Sequence, residues 1–221
     1  MGTDELGRDT ASRIIYGARV SLQVGIISVC IALVIGTAIG LLTGFYGGRL
    51  DTWLMRLVDI MFAFPGLVLA IVIAGLLGPS RRNAMIAIGV VYAPAFARVI
   101  RGSVLAVMGE PYLESGRVLG ARDWWLVRRY VLPNITAPLM VMTTIYLSTA
   151  ILTEAGLSFL GLGTQPPEPS WGGMLNIART YMEISPWMAI FPGLAIMLVV
   201  LGFNFLGDGL RDALDPRLSE H

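Results

Sequence analysis

Five apolar stretches dictate what this chain can fold into: Val20 to Phe45, Leu57 to Leu77, Ala84 to Val107, Ile135 to Ala155 and Trp187 to Leu206. A helix of about 20 such residues crosses the hydrocarbon core of a bilayer. In that solvent every backbone N–H and C=O must bond within the protein, and a helix satisfies them all inside one segment. The expected fold class is therefore all-α, a polytopic membrane protein with five transmembrane helices. The charge content agrees, since only 14% of residues are charged against about 25% in an ordinary soluble domain.

The basic residues are all arginine; the sequence contains no lysine. A P-loop needs a lysine to reach the nucleotide phosphates, so the chain supplies no standard P-loop ATPase site. With a net charge of +1 and no basic face beyond the inter-span loops, no nucleic-acid role is expected. The single cysteine, Cys30, lies inside the first span and reads as a packing residue. No metal-ligand spacing appears, and His221 stands alone at the terminus. A membrane enzyme would need convergent nucleophile, base or metal groups, which the pattern does not offer.

Arginines also orient the chain. The loop 108–133 carries Arg117, Arg122, Arg128 and Arg129, with Arg98 and Arg101 just before it, which marks the cytoplasmic side. Counting spans from there places Arg49, Arg56, Arg211 and Arg217 on the same side. Residues 1–19, the Gly78 to Asn83 turn and the Gly156 to Pro186 segment fall outside. Arg8, Arg13, Arg19, Arg81 and Arg82 run against the rule, partly offset by Asp4, Glu5 and Asp9.

Within the spans, Gly36, Gly40 and Gly44 recur every four residues and read as a helix-packing seam. Polar groups at membrane depth face protein or a water-filled cavity. Thr143 and Thr144 are expected to bond their own helix backbone. Tyr92, beside Pro94 in mid-span, and Asn204 in the last span are the better pathway candidates, with Met61 and Phe64 before and within the Phe62–Pro65 run.

The loop 108–133 predicts two short helices. Pro111 suits a first helical position, Glu114 favours the dipole of the first turn, and Gly120 supplies a left-handed stop. Tyr112, Leu113, Gly116 and Leu119 can share one apolar face, leaving Glu114, Arg117 and Val118 elsewhere. Asp123 is expected to cap a second helix through Arg129, ended before Pro133. Trp124 and Trp125 suit the membrane interface.

In its spacing this loop resembles the EAA loop of ABC importer permeases. Glu114, Ser115 and Gly116 stand for Glu-Ala-Ala, followed by Gly120 and, after nine residues, Tyr130-Val131-Leu132-Pro133. Ser115 and Gly116 replace the paired alanines, and Tyr130 takes the isoleucine position. Ala18 to Leu22, Met55 to Asp59, Glu154 to Gly161 and Gly207 to Asp212 further resemble the second permease subunit of dipeptide, oligopeptide and nickel importers. The resemblance implies a type I ABC importer permease bundle in a bacterial or archaeal plasma membrane, with residues 20–221 as the transmembrane domain and 108–133 as its cytoplasmic coupling loop. It implies that Tyr112 to Arg117, Leu119, Gly120, Leu132 and Pro133 couple the bundle to an ATPase. The implied partners are a homologous permease, two cytoplasmic ATPases carrying ATP and Mg, an external solute-binding protein and membrane lipids. This chain itself is expected to bind no cofactor. Di- or oligopeptides are the expected cargo, with nickel as the alternative.

A gradient-driven channel or secondary transporter is the competing class. It predicts ionisable relays inside the spans, where the sequence places almost none. The proline-rich segment Gly163 to Trp171 reads equally as a binding-protein contact or external lid and as a rigid connection to an amphipathic Met174 to Tyr181 stretch. Finally, the opening Gly2 to Asp9 resembles a segment that follows an earlier helix in this branch of permeases. A fuller form with one more N-terminal helix is therefore expected.

Overall fold

A computed structural model describes residues 2–214; Arg217 and His221 lie outside them. Nine α-helices are described: α1 Thr10–Tyr46, α2 Gly48–Phe62, α3 Gly66–Leu77, α4 Arg81–Met108, α5 Pro111–Val118, α6 Asp123–Leu126, α7 Leu132–Phe159, α8 Trp171–Thr180 and α9 Trp187–Leu214. A π-helical turn, Val127–Val131, joins α6 to α7. The first helix thus begins at Thr10, within the segment 1–19, where Asp9 accepts from the Ser12 backbone N–H. Ahead of it, burial tends to raise the Asp4 carboxyl. Hydrogen bonds from the Arg8 N–H, the Arg8 guanidinium and the Leu6 N–H more than offset this and hold it below its ordinary value.

The centre of the bundle is the α1–α4 pair. Gly36 lies against Phe96 and Ala93, Gly40 against Ala97 and Ile100, Gly44 against Val104, and Gly89 of α4 against Ile31 and Ser28. The seam read from the sequence is thus a close approach between two helix backbones. Because positions on both helices rise together, α1 and α4 run parallel. The chain between them must therefore return across the membrane.

That return is the predicted second span, and it is not one helix. Leu57 to Leu77 breaks at Ala63–Pro65, where α2 and α3 meet at 95°. The residue before a proline is pushed out of the helical region, and Pro65 starts α3. At 12 residues, α3 is about 18 Å long and too short to cross about 30 Å of hydrocarbon by itself. It runs antiparallel to the first half of α4, with Gly66 near Val91 and Leu77 accepting from Asn83 Nδ2 at 2.8 Å. Near its own start, α2 is tied to α4 by Asp51, which takes two bonds from Arg101 at 2.6 and 2.7 Å. It leaves Leu50, Trp53, Leu57 and Ile60 exposed as a stripe.

The remaining crossings alternate. Ile151 of α7 packs on Gly25, and Gly207 of α9 on Thr144 of α7. Among the described residues four unbroken helices are long and apolar enough to span, and the bent α2–α3 pair makes the fifth crossing. Thr143 and Thr144 donate to Leu139 and Val141 of their own helix. Cys30 is exposed on the flank of α1 and does not pack in the core. At the start of α4 Arg81 meets Glu168 at 3.1 Å, giving one of the rule-breaking arginines an anionic partner.

Candidate functional site

Two features answer to the sequence candidates. The first is the short helix α5, seated under the C-terminal ends of α1 and α4. Leu113 is 1% exposed and belongs to a cluster with Phe45, Ile100, Val104, Val107, Leu126 and Val131. Arg117 lies over the Phe45 ring, 5.5 Å from its centroid, and reaches the Met108 sulfur. Gly116 sits so close to Leu126 that a β-carbon would stand 2.8 Å from its Cδ2. The paired-alanine position is therefore filled by the residue that lets Leu126 in.

This arrangement corrects the expected shared face. Leu113 points into the bundle, whereas Tyr112 and Leu119 are exposed, Leu119 by 86%. Tyr112, Ser115, Gly116 and Leu119 instead line an open groove of about 340 Å3 together with Ala121, Trp125 and Tyr130. Glu114 is exposed beside it. Gly120 has the left-handed φ of +77°. Its N–H donates to the Arg117 carbonyl and that of Ala121 to the Gly116 carbonyl, both at 3.0 Å. This is the Schellman pattern that satisfies the last carbonyls of a helix.

The second predicted helix is also corrected. Asp123 lies in the first turn of α6 but makes no side-chain cap. The segment does not stop before Pro133; it continues through the π turn into α7. Proline is tolerated in the first turn of a helix, and Leu132 and Pro133 occupy that turn of α7. The wider turn ahead of them lets the chain pass where a regular helix would strike the proline ring.

The second feature is a cleft of about 310 Å3 at the α2–α3 bend, where α4 and α7 face it. Met61, Phe64 and Tyr92 line it, together with Phe62, Pro94, Tyr146 and Thr149 among others. Three of the four pathway candidates thus meet in one space. Tyr92 Oη lies 2.6 Å from Thr153 Oγ1 and donates to the Thr149 carbonyl at 3.3 Å, and its ring meets Tyr146 edge-on. Asn204 is exposed on α9, elsewhere in the bundle.

The predicted fourth span, Ile135 to Ala155, puts Glu154 one residue from its end. Glu154 is fully buried, accepting from Ser21 Oγ at 3.1 Å and from Ser158 Oγ at 2.7 Å. Ser158 also accepts from the Thr164 N–H, so one carboxyl links α1, α7 and the loop that follows α7. The recurrence of Glu and Ser at a four-residue spacing was the available signal.

Residues 36–220 match the family described as binding-protein-dependent transport system inner membrane component. The chain belongs to this family. It is 50% identical over 218 residues to a glutathione transport system permease protein of Pectobacterium atrosepticum, covering 99% of this chain and 72% of that one. A dipeptide transport system permease protein of Alkalihalophilus pseudofirmus is 49% identical over 98% of this chain and 71% of its own length. A di/tripeptide transport system permease protein of Pseudomonas aeruginosa is 50% identical over 99% and 72%. Among solved structures, a chain of the MetNI methionine ABC transporter, in an inward-facing crystal form, superposes with a TM-score of 0.75 at 21% identity. The match covers 91% of this chain and 96% of that one. An amino acid ABC transporter crystallised with histidines gives 0.72 at 18% identity, over 92% and 95%. The fold is therefore the type I ABC importer permease bundle, and the protein is a multi-pass permease of the inner membrane. Membership in a binding-protein-dependent family implies a solute-binding protein and an ATPase as partners; the permease itself is a transport subunit and not an enzyme.

Proposed function

We propose that this permease pairs with a homologous permease and two cytoplasmic ATPases to import small peptides delivered by an external binding protein. The observation that carries the cargo is the set of relatives at about half identity over nearly the whole chain, whose names specify dipeptide, di/tripeptide and glutathione transport. Those names favour peptides over nickel, and the family favours ATP over a gradient as the source of work. ATP and Mg belong to the ATPase subunits; this chain holds no cofactor.

In this reading α5 is the coupling helix. Its exposed side, Tyr112, Glu114, Ser115 and Leu119, meets the ATPase, while Leu113, Gly116 and Arg117 pass the movement into α1 and α4. The tight α1–α4 seam moves as one body because packed interiors transmit strain and do not absorb it. The cleft at the α2–α3 bend, lined by Met61, Phe64 and Tyr92, is the part of the pathway that this subunit contributes. Gly120, Leu132 and Pro133 set where α5 ends and α7 begins.

The test is reconstitution with the partner permease, ATPases and binding protein in vesicles. ATP-dependent accumulation of a labelled dipeptide or of glutathione is expected. Accumulation that needs no ATP and vanishes with an ionophore, or uptake of nickel alone, would refute the reading.

A further inference from the structure

At one lip the cleft meets an ion pair that none of the pathway candidates includes. Phe62 lines the cleft, and the Arg98 guanidinium lies over its ring, 4.1 Å from the centroid. Arg98 Nη2 donates to Asp59 Oδ1 at 2.7 Å. The two side chains are 52% and 63% exposed.

Their depth is set by the α1–α4 seam. Gly40 packs on the Ala97 carbonyl and on Ile100, which puts Arg98 level with Gly40, five residues before the apolar run of α1 ends at Phe45. At 1.5 Å per residue this is about 7 Å inside that end. The whole run would be about 39 Å long against about 30 Å of hydrocarbon, so the pair stands near the cytoplasmic edge of the apolar layer, and the space adjoining it is the cleft. The pair is not required to fasten α2 to α4, since the half-buried, two-bond Asp51–Arg101 pair already does so. A single-bond pair this exposed contributes little to stability.

None of the described residues lining the cleft is charged, whereas a free peptide carries a carboxylate and an ammonium at neutral pH. Inside the cleft both termini lack ionic partners. Arg98 and Asp59 stand beside it with one charge of each sign.

We propose that Arg98 and Asp59 form a charged exit lip that takes the two ends of a zwitterionic peptide on its way to the cytoplasm, Arg98 the carboxylate and Asp59 the ammonium. This rests on the peptide reading above. The guanidinium fork matches a carboxylate with two parallel bonds. The exchange is balanced, because each side chain trades one partner of opposite sign for another and no charge is left unpaired.

The test uses the whole importer in proteoliposomes, with radiolabelled alanyl-alanine as the probe. For R98Q the maximal uptake rate falls about tenfold, the size expected from losing one charge-assisted hydrogen bond. The KM and the ATP hydrolysis stimulated by binding protein stay near wild type, and R98K recovers part of the loss. The double variant R98Q/D59N replaces the ion pair by a neutral hydrogen-bonded pair and stays slow. A wild-type rate in R98Q, or full recovery in the double variant, would overturn the proposal, the latter by showing a merely structural tie. Should R98Q fail to assemble, D59N and the double variant give the same reading. If the wild-type complex imports glutathione and no alanyl-alanine, labelled glutathione replaces the probe; if it imports only a solute that is not a peptide, the peptide reading fails and the lip falls with it.

Discussion

Gly40 and Ile100 meet so closely that a β-carbon on Gly40 would stand 2.8 Å from the Ile100 β-carbon and 2.8 Å from the Ala97 carbonyl oxygen. The backbone on one side cannot yield as a flexible side chain would. Gly40→Leu should therefore force α1 and α4 apart, costing at least the 1–3 kcal/mol or so typical of an overpacked core. Gly75→Leu is the control, since nothing lies within 4 Å of that position. Membrane abundance and the detergent melting temperature should fall for the first and not for the second.

Leu113 and Leu119 separate stability from docking. Leu113 is buried at the foot of the α1–α4 pair, so Leu113→Ala should cost about 2–5 kcal/mol and lower the melting temperature. Leu119 is exposed, and Leu119→Ala should leave the melting temperature within error while weakening ATPase co-purification. Cysteines at Leu119 and Glu114 should cross-link to the ATPase in assembled complexes, and a cysteine at Leu113 should not. Cross-linking from Leu113 alone would reverse the assigned faces.

Those two leucines also mark where the sequence stopped being legible. Spacing showed that α5 has an apolar side, but a two-turn helix does not reveal which side meets its own bundle. That is settled by Phe45, Val104 and Leu126, which come from three other segments. The parallel α1–α4 seam was readable from glycines four apart, because only small residues admit so close an approach. The bend at Pro65 was hidden by hydropathy, which runs apolar from Leu57 to Leu77 and cannot tell a span from a break. Pro133 misled in the opposite sense, since a π turn carried the helix past it. The cleft gathers side chains from positions 61 to 149, a juxtaposition that no local pattern encodes.

Gly120 carries a conformational prediction. Its φ of +77° is unfavourable for an L side chain, although no atom lies within 4 Å of where a β-carbon would sit. The penalty of Gly120→Val is thus backbone strain, on the order of 1–2 kcal/mol, and not a clash. Insertion and bundle stability should persist while the end of α5 is displaced. ATP hydrolysis should continue with uptake reduced, read as moles of peptide imported per mole of ATP in proteoliposomes. An unchanged ratio would show that the Schellman turn is dispensable for coupling.

Glu154 predicts a contrast between two substitutions of one buried carboxyl. Both of its oxygens accept from serine hydroxyls, Ser21 on α1 and Ser158 on α7. Ser158 in turn receives the Thr164 N–H of the loop after α7. Glu154→Ala would leave two buried hydroxyl donors without acceptors, at about 1–3 kcal/mol each, and open a cavity beside them. Glu154→Gln keeps the volume and one acceptor, and its amide can donate once a serine hydroxyl rotates to accept. The alanine variant should therefore melt well below wild type, with the loop around Thr164 newly open to protease. The glutamine variant should stay close to wild type in both measurements. Equal damage from both would mean that Glu154 is held for its charge, which the two neutral hydroxyl partners do not require.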